Sequence, residues 1–380
     1  MTGLDRNGQR IRSPETSSTT LSTPTGTDLP PLNETPSLSP LPLASAPIDR
    51  FGPQPSACHT LPSLTGSPAV PLSFPWPGHG SADKIGWIQS AGPKTSDATA
   101  AFEKLDAAAR AGRNVLPVDA DNYVYLFAGG LFSNVIPAPL YGDQNMAALS
   151  AQGLDVRRIP LDTAQGVRHN ARTVRDAVLA ASKTGKQVVL IGHSKGGLDS
   201  AAALALYPEL KDKTRALITI QSPYGGSPMA DDIIENPVLK QLGTSIVKDI
   251  FHGSTRSGLD LRYGARQKFL AAHPLPAGIP VISMASSQLS PLSPLFSTEE
   301  YLRQRYGLAS DGLVAPVDAM VPGSRTVTLE GLDHGDATLS QFNPFKNYLP
   351  SDLTLGLVGL ALRSTSGPDG VTRPMKPTTA

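Results

Sequence analysis

Ser194 lies in Gly192-His193-Ser194-Lys195-Gly196-Gly197, directly after the apolar run Val188-Val189-Leu190-Ile191 and before an Ala- and Leu-rich stretch. A strand, a turn pinched by glycines and the start of a helix, in that order, raise a serine hydroxyl on a strained turn where it can attack an electrophile. Glycine at 192 and 196 fits this reading, because a Cβ beside so tight a turn collides with the neighbouring backbone. The same pattern also serves as a plain strand-to-helix turn with serine as the cap, so downstream residues must decide. A serine hydroxyl is a weak nucleophile at neutral pH. It needs a histidine within hydrogen-bond reach to take its proton, and that histidine needs a carboxylate to fix its tautomer.

The chain has seven histidines. His59 and His79 fall in a low-complexity leader, His193 is inside the turn, and His169, His252 and His273 lack a suitable preceding carboxylate after Ser194. His334 remains. It follows the strand-like run Arg325-Thr326-Val327-Thr328-Leu329 through a short loop, which places it at the carboxyl end of a late strand. Asp311, in Ser310-Asp311-Gly312-Leu313-Val314, is read as the acid, since Asp-Gly opens a turn and the apolar pair anchors it. Asp318, Asp333 and Asp336 compete for that role.

Taken together, these segments resemble a bacterial triacylglycerol lipase or esterase of the α/β-hydrolase superfamily over residues 120–345. The shared features are the Gly-His-Ser-x-Gly-Gly elbow, the Asp-Gly-Leu-Val acid turn and the histidine downstream. Residues 216–228, Ala-Leu-Ile-Thr-Ile-Gln-Ser-Pro-Tyr-Gly-Gly-Ser-Pro, are similar to a further strand and turn of the family. Tyr123-Val124-Tyr125-Leu126-Phe127 and the following Ala128-Gly129-Gly130-Leu131-Phe132 are similar to its oxyanion strand and loop, with Gly129 in place of a histidine.

The resemblance implies a Ser194-Asp311-His334 triad, Gly192 and Gly196 as elbow glycines, and an oxyanion hole built from the backbone N–H groups of Leu131 and Lys195. It implies a serine carboxylester hydrolase acting through an acyl-enzyme on lipid or other carboxylic esters. A phospholipase or lipid acyltransferase with the same triad is the alternative among enzymes, and a non-catalytic effector or binding scaffold is the alternative outside them. No cofactor is implied. Relatives hold a structural calcium through an aspartate two places after the histidine, which Asp336 matches, but no aspartate lies between Asp260 and Asp311 to supply the second ligand. No metal is therefore expected. Lys195 departs from the more usual neutral residue, and its ammonium is expected to reach solvent.

The elements that must hold these residues alternate. Strands are read at 85–88, 123–127, 156–159, 188–191, 217–220, 281–284 and 325–329, with helices at 98–111, 164–182 and 196–207 and a closing helix at 353–362. That rhythm predicts an α/β-hydrolase fold, with a mostly parallel central sheet flanked by helices, a helical cap insertion at 228–278 and a disordered N-terminal leader. In the cap, Val238, Leu239, Leu242, Ile246, Val247, Ile250 and Phe251 recur at helical spacing, either facing an acyl chain and a membrane surface or packing on the core. The proline-broken loop from Leu289 to Phe296 is read as a second wall of the acyl site.

Residues 1–80 form the Ser/Thr/Pro-rich leader, 81–365 the catalytic domain and 366–380 a flexible tail. Few bulky apolar residues in the leader leave nothing to offset its ordering entropy. It is a passive linker or, through the proline-rich 36–42 segment, a ligand for a host partner. A net charge of +1 gives no sign of nucleic acid as a partner. The N-terminus shows no apolar core of a secretory signal, and the single cysteine, Cys58, excludes an internal disulfide. Those features point to a cytoplasmic protein, or to one exported by a non-Sec route in the manner of type III effectors.

Overall fold

The computed structural model describes residues 80–131, 133, 140–235, 255–339 and 347–363. The leader up to residue 79, the 238–251 stripe and the 366–380 tail lie outside the described residues. All elements below belong to the unit Leu72–Ala380.

The strands are β1 (Ser96–Asp97), β2 (Tyr123–Ala128), β3 (Asp155–Arg158), β4 (Gln187–His193), β5 (Thr214–Ile220), β6 (Val281–Ser287) and β7 (Arg325–Glu330). They form one sheet in the order β1-β7-β6-β5-β4-β2-β3, and every pairing is parallel. The helices before the insertion are α1 (Thr99–Arg110), α2 (Asp143–Ala151), α3 (Val167–Ser182) and α4 (Lys195–Leu206). Those of the insertion are α5 (Pro228–Glu235), α6 (Thr255–Leu259) and α7 (Tyr263–Ala272). After it come α8 (Phe296–Tyr306), α9 (Pro316–Ala319) and α10 (Pro350–Arg363). This is the expected α/β-hydrolase architecture.

Side chains on successive strand residues point to opposite faces, and β2 shows the consequence. Tyr123, Tyr125 and Phe127 enter the core shared with Phe102 of α1, Leu149 of α2 and Leu353, Leu357 and Leu360 of α10. Val124, Leu126 and Ala128 enter the opposite core with α3 and α4. Both faces are therefore apolar, as a parallel sheet covered on two sides requires. In α3, Val167, Ala171, Val174 and Val178 recur at three- and four-residue steps and are all buried, so one stripe faces the sheet.

Two departures from the sequence reading have local causes. Residues 85–88 are not a strand: Gly86 is left-handed (φ 74°) and Trp87–Ser90 is a 3-10 turn. Asp318 Oδ1 accepts from Gly86 N–H at 2.9 Å and Gly225 O accepts from the Trp87 indole at 2.7 Å, so tertiary contacts override an apolar run. The two-residue β1 was not expected, because a pair of exposed polar residues carries no periodicity. The closing helix is present as α10, and no helix among the described residues is long and apolar enough to cross a membrane.

Chain progression reverses between β2 and β4, since β3 lies outside β2 and β5 lies on the other side of β4. Ligand sites of open α/β sheets form at the carboxyl ends of strands flanking such a reversal. Here Ala128 pairs with Gly192, so the loops after β2 and β4 emerge side by side.

Candidate active site

Ser194 has φ 52° and ψ −130°, a strained conformation for a residue with a side chain. Its N–H donates to Ile220 O at 2.8 Å, which ties the turn to the end of β5. The glycines are explained by close approach. A Cβ on Gly192 would sit 2.5 Å from Gly197 Cα, one on Gly196 would sit 2.2 Å from Ala128 O, and one on Gly197 would sit 2.0 Å from Ser222 Oγ. Gly197 is thus a third close approach, its nearest atoms those of the Ser222 side chain and not of backbone, that the pair 192 and 196 leaves out.

The structure brings Ser194, His334 and Asp311 into one hydrogen-bonded row. His334 Nδ1–H donates to Asp311 Oδ2 at 2.8 Å, leaving Nε2 to accept from Ser194 Oγ at 2.8 Å. All three side chains are buried, with only small fractions of Ser194 and His334 open to solvent. Asp311 Oδ1 accepts from the N–H groups of Leu313 (2.9 Å) and Val314 (2.8 Å), and Asp311 O accepts from His334 N–H at 2.8 Å. The acid turn therefore fixes both the ring and the backbone of the histidine.

The competing carboxylates are engaged elsewhere. Asp318 accepts from the Tyr263 hydroxyl and Gly86 N–H, and burial pushes its pKa up to about 6. Asp333 accepts from Gly335 N–H and Asp336 N–H and braces the histidine loop, while Asp336 Oδ2 accepts from Asp333 N–H. Among the described residues no group of three or more His, Cys, Asp or Glu side chains is arranged to hold a metal ion.

Leu131 and Ser194 border the same cavity, a small one of about 30 Å³ with largely apolar walls that include Pro223, Met229, Leu261 and Leu313. Lys195 N–H opens α4, where the first amides of a helix have no partner within it. Among the described residues neither the Leu131 nor the Lys195 amide donates to a protein acceptor. Gly130 passes so close to the elbow that a Cβ there would lie 2.8 Å from Ser194 Cβ. The Leu289–Phe296 loop does not share this cavity. Leu289 borders a separate one of about 470 Å³ with Glu299, Arg303 and Glu330, and Leu295 packs under the acid turn at Gly312, which has φ 96°.

The Lys195 side chain corrects a second expectation. Its ammonium is buried, 3.0 Å from each carboxylate oxygen of Asp199, which also accepts from Asn170 Nδ2 at 2.8 Å. Burial pushes the Asp199 carboxyl up, and Lys195 and Asn170 oppose that shift. The i,i+4 spacing places both charges on the inner face of α4, so solvent is out of reach. Lys195→Met leaves a buried carboxylate without its counter-charge, and denaturant unfolding is expected to show a loss of about 3–5 kcal/mol. The double variant Lys195→Met/Asp199→Leu should regain most of it, because the pair is then removed together.

Behind the acid turn, Ser293 Oγ lies 2.7 Å from Glu299 Oε1 and 2.9 Å from Asp333 Oδ2, and it accepts from Leu295 N–H. One hydroxyl proton serves one carboxylate, so the other contact requires a protonated carboxyl. Burial, with Asp333 and Asp311 nearby, pushes Glu299 up to about 7. Between the ordinary glutamate range and pH 7 the folded protein keeps a proton that the unfolded chain releases, so stability falls as pH rises through that window. Glu299→Gln should flatten this slope, read as a smaller difference between denaturation midpoints at pH 5 and pH 8 than in the unmodified protein.

Residues 158–260 match the family described as "PGAP1-like alpha/beta domain", a stretch running from the end of β3 through the elbow to the insertion. Among solved structures, the chain is similar to the metagenomic carboxyl esterase MGS0156, at 21% identity and TM-score 0.55, covering 66% of this chain and 78% of that one. It is also similar to mature Bacillus licheniformis lipase BlEst2 (22% identity, 58% and 87% covered, TM-score 0.49). A third likeness is to Staphylococcus hyicus lipase (13% identity, 64% and 95% covered, TM-score 0.45). None of the curated proteins matches the chain in sequence.

Proposed function

On the α/β-hydrolase fold that this lipase- and esterase-like chain displays, we propose a serine carboxylester hydrolase with Ser194 as nucleophile, His334 as base and Asp311 as its orienting acid. The observation that carries the reading is the continuous row Ser194 Oγ–His334 Nε2, His334 Nδ1–Asp311 Oδ2, with both distances 2.8 Å, on a strained turn beside an apolar cavity.

In this reading Ser194 Oγ attacks the ester carbonyl carbon while its proton passes to His334 Nε2. The carbonyl π electrons move to oxygen, and the N–H groups of Leu131 and Lys195 hold the resulting oxyanion. Collapse of the tetrahedral intermediate expels the alcohol, which takes the proton from His334. Water then repeats the sequence on the acyl-serine, giving the carboxylic acid and free Ser194. Asp311 stays ionised and stabilises the imidazolium that forms twice per cycle. The apolar walls Pro223, Met229, Leu261 and Leu313 favour an uncharged acyl group over a charged one, because an unpaired charge there loses its hydration.

Hydrolysis of a p-nitrophenyl ester series, from acetate upward, by the purified protein tests the reading. Turnover on at least the short esters supports it, and no turnover on any of them contradicts it.

A further inference from the structure

His193 of the elbow is buried and makes hydrogen bonds on both ring nitrogens. Nε2 lies 2.9 Å from His334 O and 3.3 Å from Gln221 Oε1. A carbonyl oxygen only accepts, so Nε2 carries the proton and Nδ1 is bare. Nδ1, 2.5 Å from the Tyr141 hydroxyl, therefore accepts from Tyr141 O–H. The same hydroxyl oxygen accepts from Gly130 N–H at 2.7 Å. Every donor along this row points the same way: Gly130 N–H to Tyr141, Tyr141 O–H to His193, His193 Nε2–H to His334 O.

The row joins three separate pieces of chain, namely the loop after β2, the end of β4 at the elbow and the loop after β7. Gly130 precedes Leu131, His193 precedes Ser194, and the accepting carbonyl belongs to His334 itself. Gly130, His193 and the accepting carbonyl therefore sit on, or next to, a residue of the proposed chemistry, Tyr141 bridges the first two, and neither linking side chain touches the cavity over Ser194. Gln221, itself left-handed at φ 50°, buttresses the row by donating to Ser286 Oγ and Asp333 O. Aligned hydrogen bonds in a dry interior polarise one another, so such a row holds its geometry better than its members would singly.

We propose that Tyr141 and His193 are positioning residues for ester hydrolysis, a two-residue strut that sets the Leu131 amide and the His334 ring against Ser194 at the spacing the tetrahedral intermediate requires. This rests on the reading of Ser194 as nucleophile. The strut requires a neutral His193. Burial and the nearby His334 push its pKa down to about 3, in keeping with a ring that stays neutral at any working pH.

A double-mutant cycle tests the strut. Tyr141→Phe, His193→Asn and the double variant are measured for kcat and KM on a short p-nitrophenyl ester and for Tm. Their affinity for an alkyl boronic acid, which adds to a nucleophilic serine as a tetrahedral anion, is measured in parallel. Tyr141→Phe is expected to lower kcat about 10- to 100-fold with KM changed less than about threefold, since its effect falls on the transition state. Boronate affinity should fall in step with kcat/KM. The double variant should be no slower than the worse single variant, because one strut can be broken only once.

Multiplicative losses, or a lowered Tm with kcat and boronate affinity intact, would overturn the proposal by reducing both residues to ordinary packing. If His193→Asn does not fold, Tyr141→Phe and the imidazole ¹⁵N spectrum of the unmodified protein still decide it: a His193 ring protonated on Nδ1, or one that titrates near neutral pH, contradicts the strut. Failure of the nucleophile reading looks different, since the unmodified protein would then neither hydrolyse the ester nor bind the boronate.

Discussion

Ser194→Ala is expected to lower ester turnover by about 10⁶-fold while leaving the fold intact. Removing a triad nucleophile costs roughly that much, and the oxyanion donors and binding alone supply the residue of activity. The backbone should suffer little damage. What holds the elbow is the bond from Ser194 N–H to Ile220 O and the three glycines around it, and none of these involves Oγ. Alanine at φ 52° is strained as serine is, so Tm should stay within a few degrees. A variant that retains turnover near the unmodified level would remove Ser194 from the chemistry.

Asp311→Asn is expected to lower kcat by about 10⁴-fold, and the contacts explain why so small a change acts so strongly. An asparagine keeps an oxygen for the Leu313 and Val314 amides, which now occupy Asp311 Oδ1. Its NH₂ is thereby turned toward His334 Nδ1, where the carboxylate had accepted. A donor at that point stabilises the opposite tautomer, with the proton on Nε2, and Ser194 then has no base. Asp318→Asn, Asp333→Asn and Asp336→Asn act on turns and a tyrosine contact instead, so their losses of kcat should be smaller and should follow stability. A larger kcat loss in Asp333→Asn than in Asp311→Asn would mean that the acid is misassigned.

The parts of the site that sequence reveals are those whose chemistry is written in contiguous residues. The elbow is legible because a strand, two spaced glycines and a serine must be adjacent for the turn to form. The acid turn is legible because Asp-Gly followed by Leu-Val encodes both the bend and its anchor. Tyr141 carries no such signature. It lies among prolines and small residues far along the chain from its partner His193, and only the parallel pairing of β2 with β4 brings them together. Lys195 and Asp199 do have a visible i,i+4 spacing, yet an exposed pair and a buried pair share it, and burial of α4 decides between them. The same limit applies to 85–88, where an apolar run mimics a strand until Asp318 and Gly225 claim its polar groups. The composition of the Leu289–Phe296 loop suggests an acyl wall, but it carries no direction, and Leu295 packs at Gly312 under the acid turn.

On the proposed function, His334 and Asp311 make Ser194 the nucleophile. A fluorophosphonate forms a covalent bond with an activated serine and expels fluoride, so intact mass and peptide mapping read the claim directly. One phosphonyl group per chain, located on Ser194 and lost with ester turnover in His334→Ala, is the predicted result. A label on any other residue, or ester turnover by a protein that takes up no label, would contradict it.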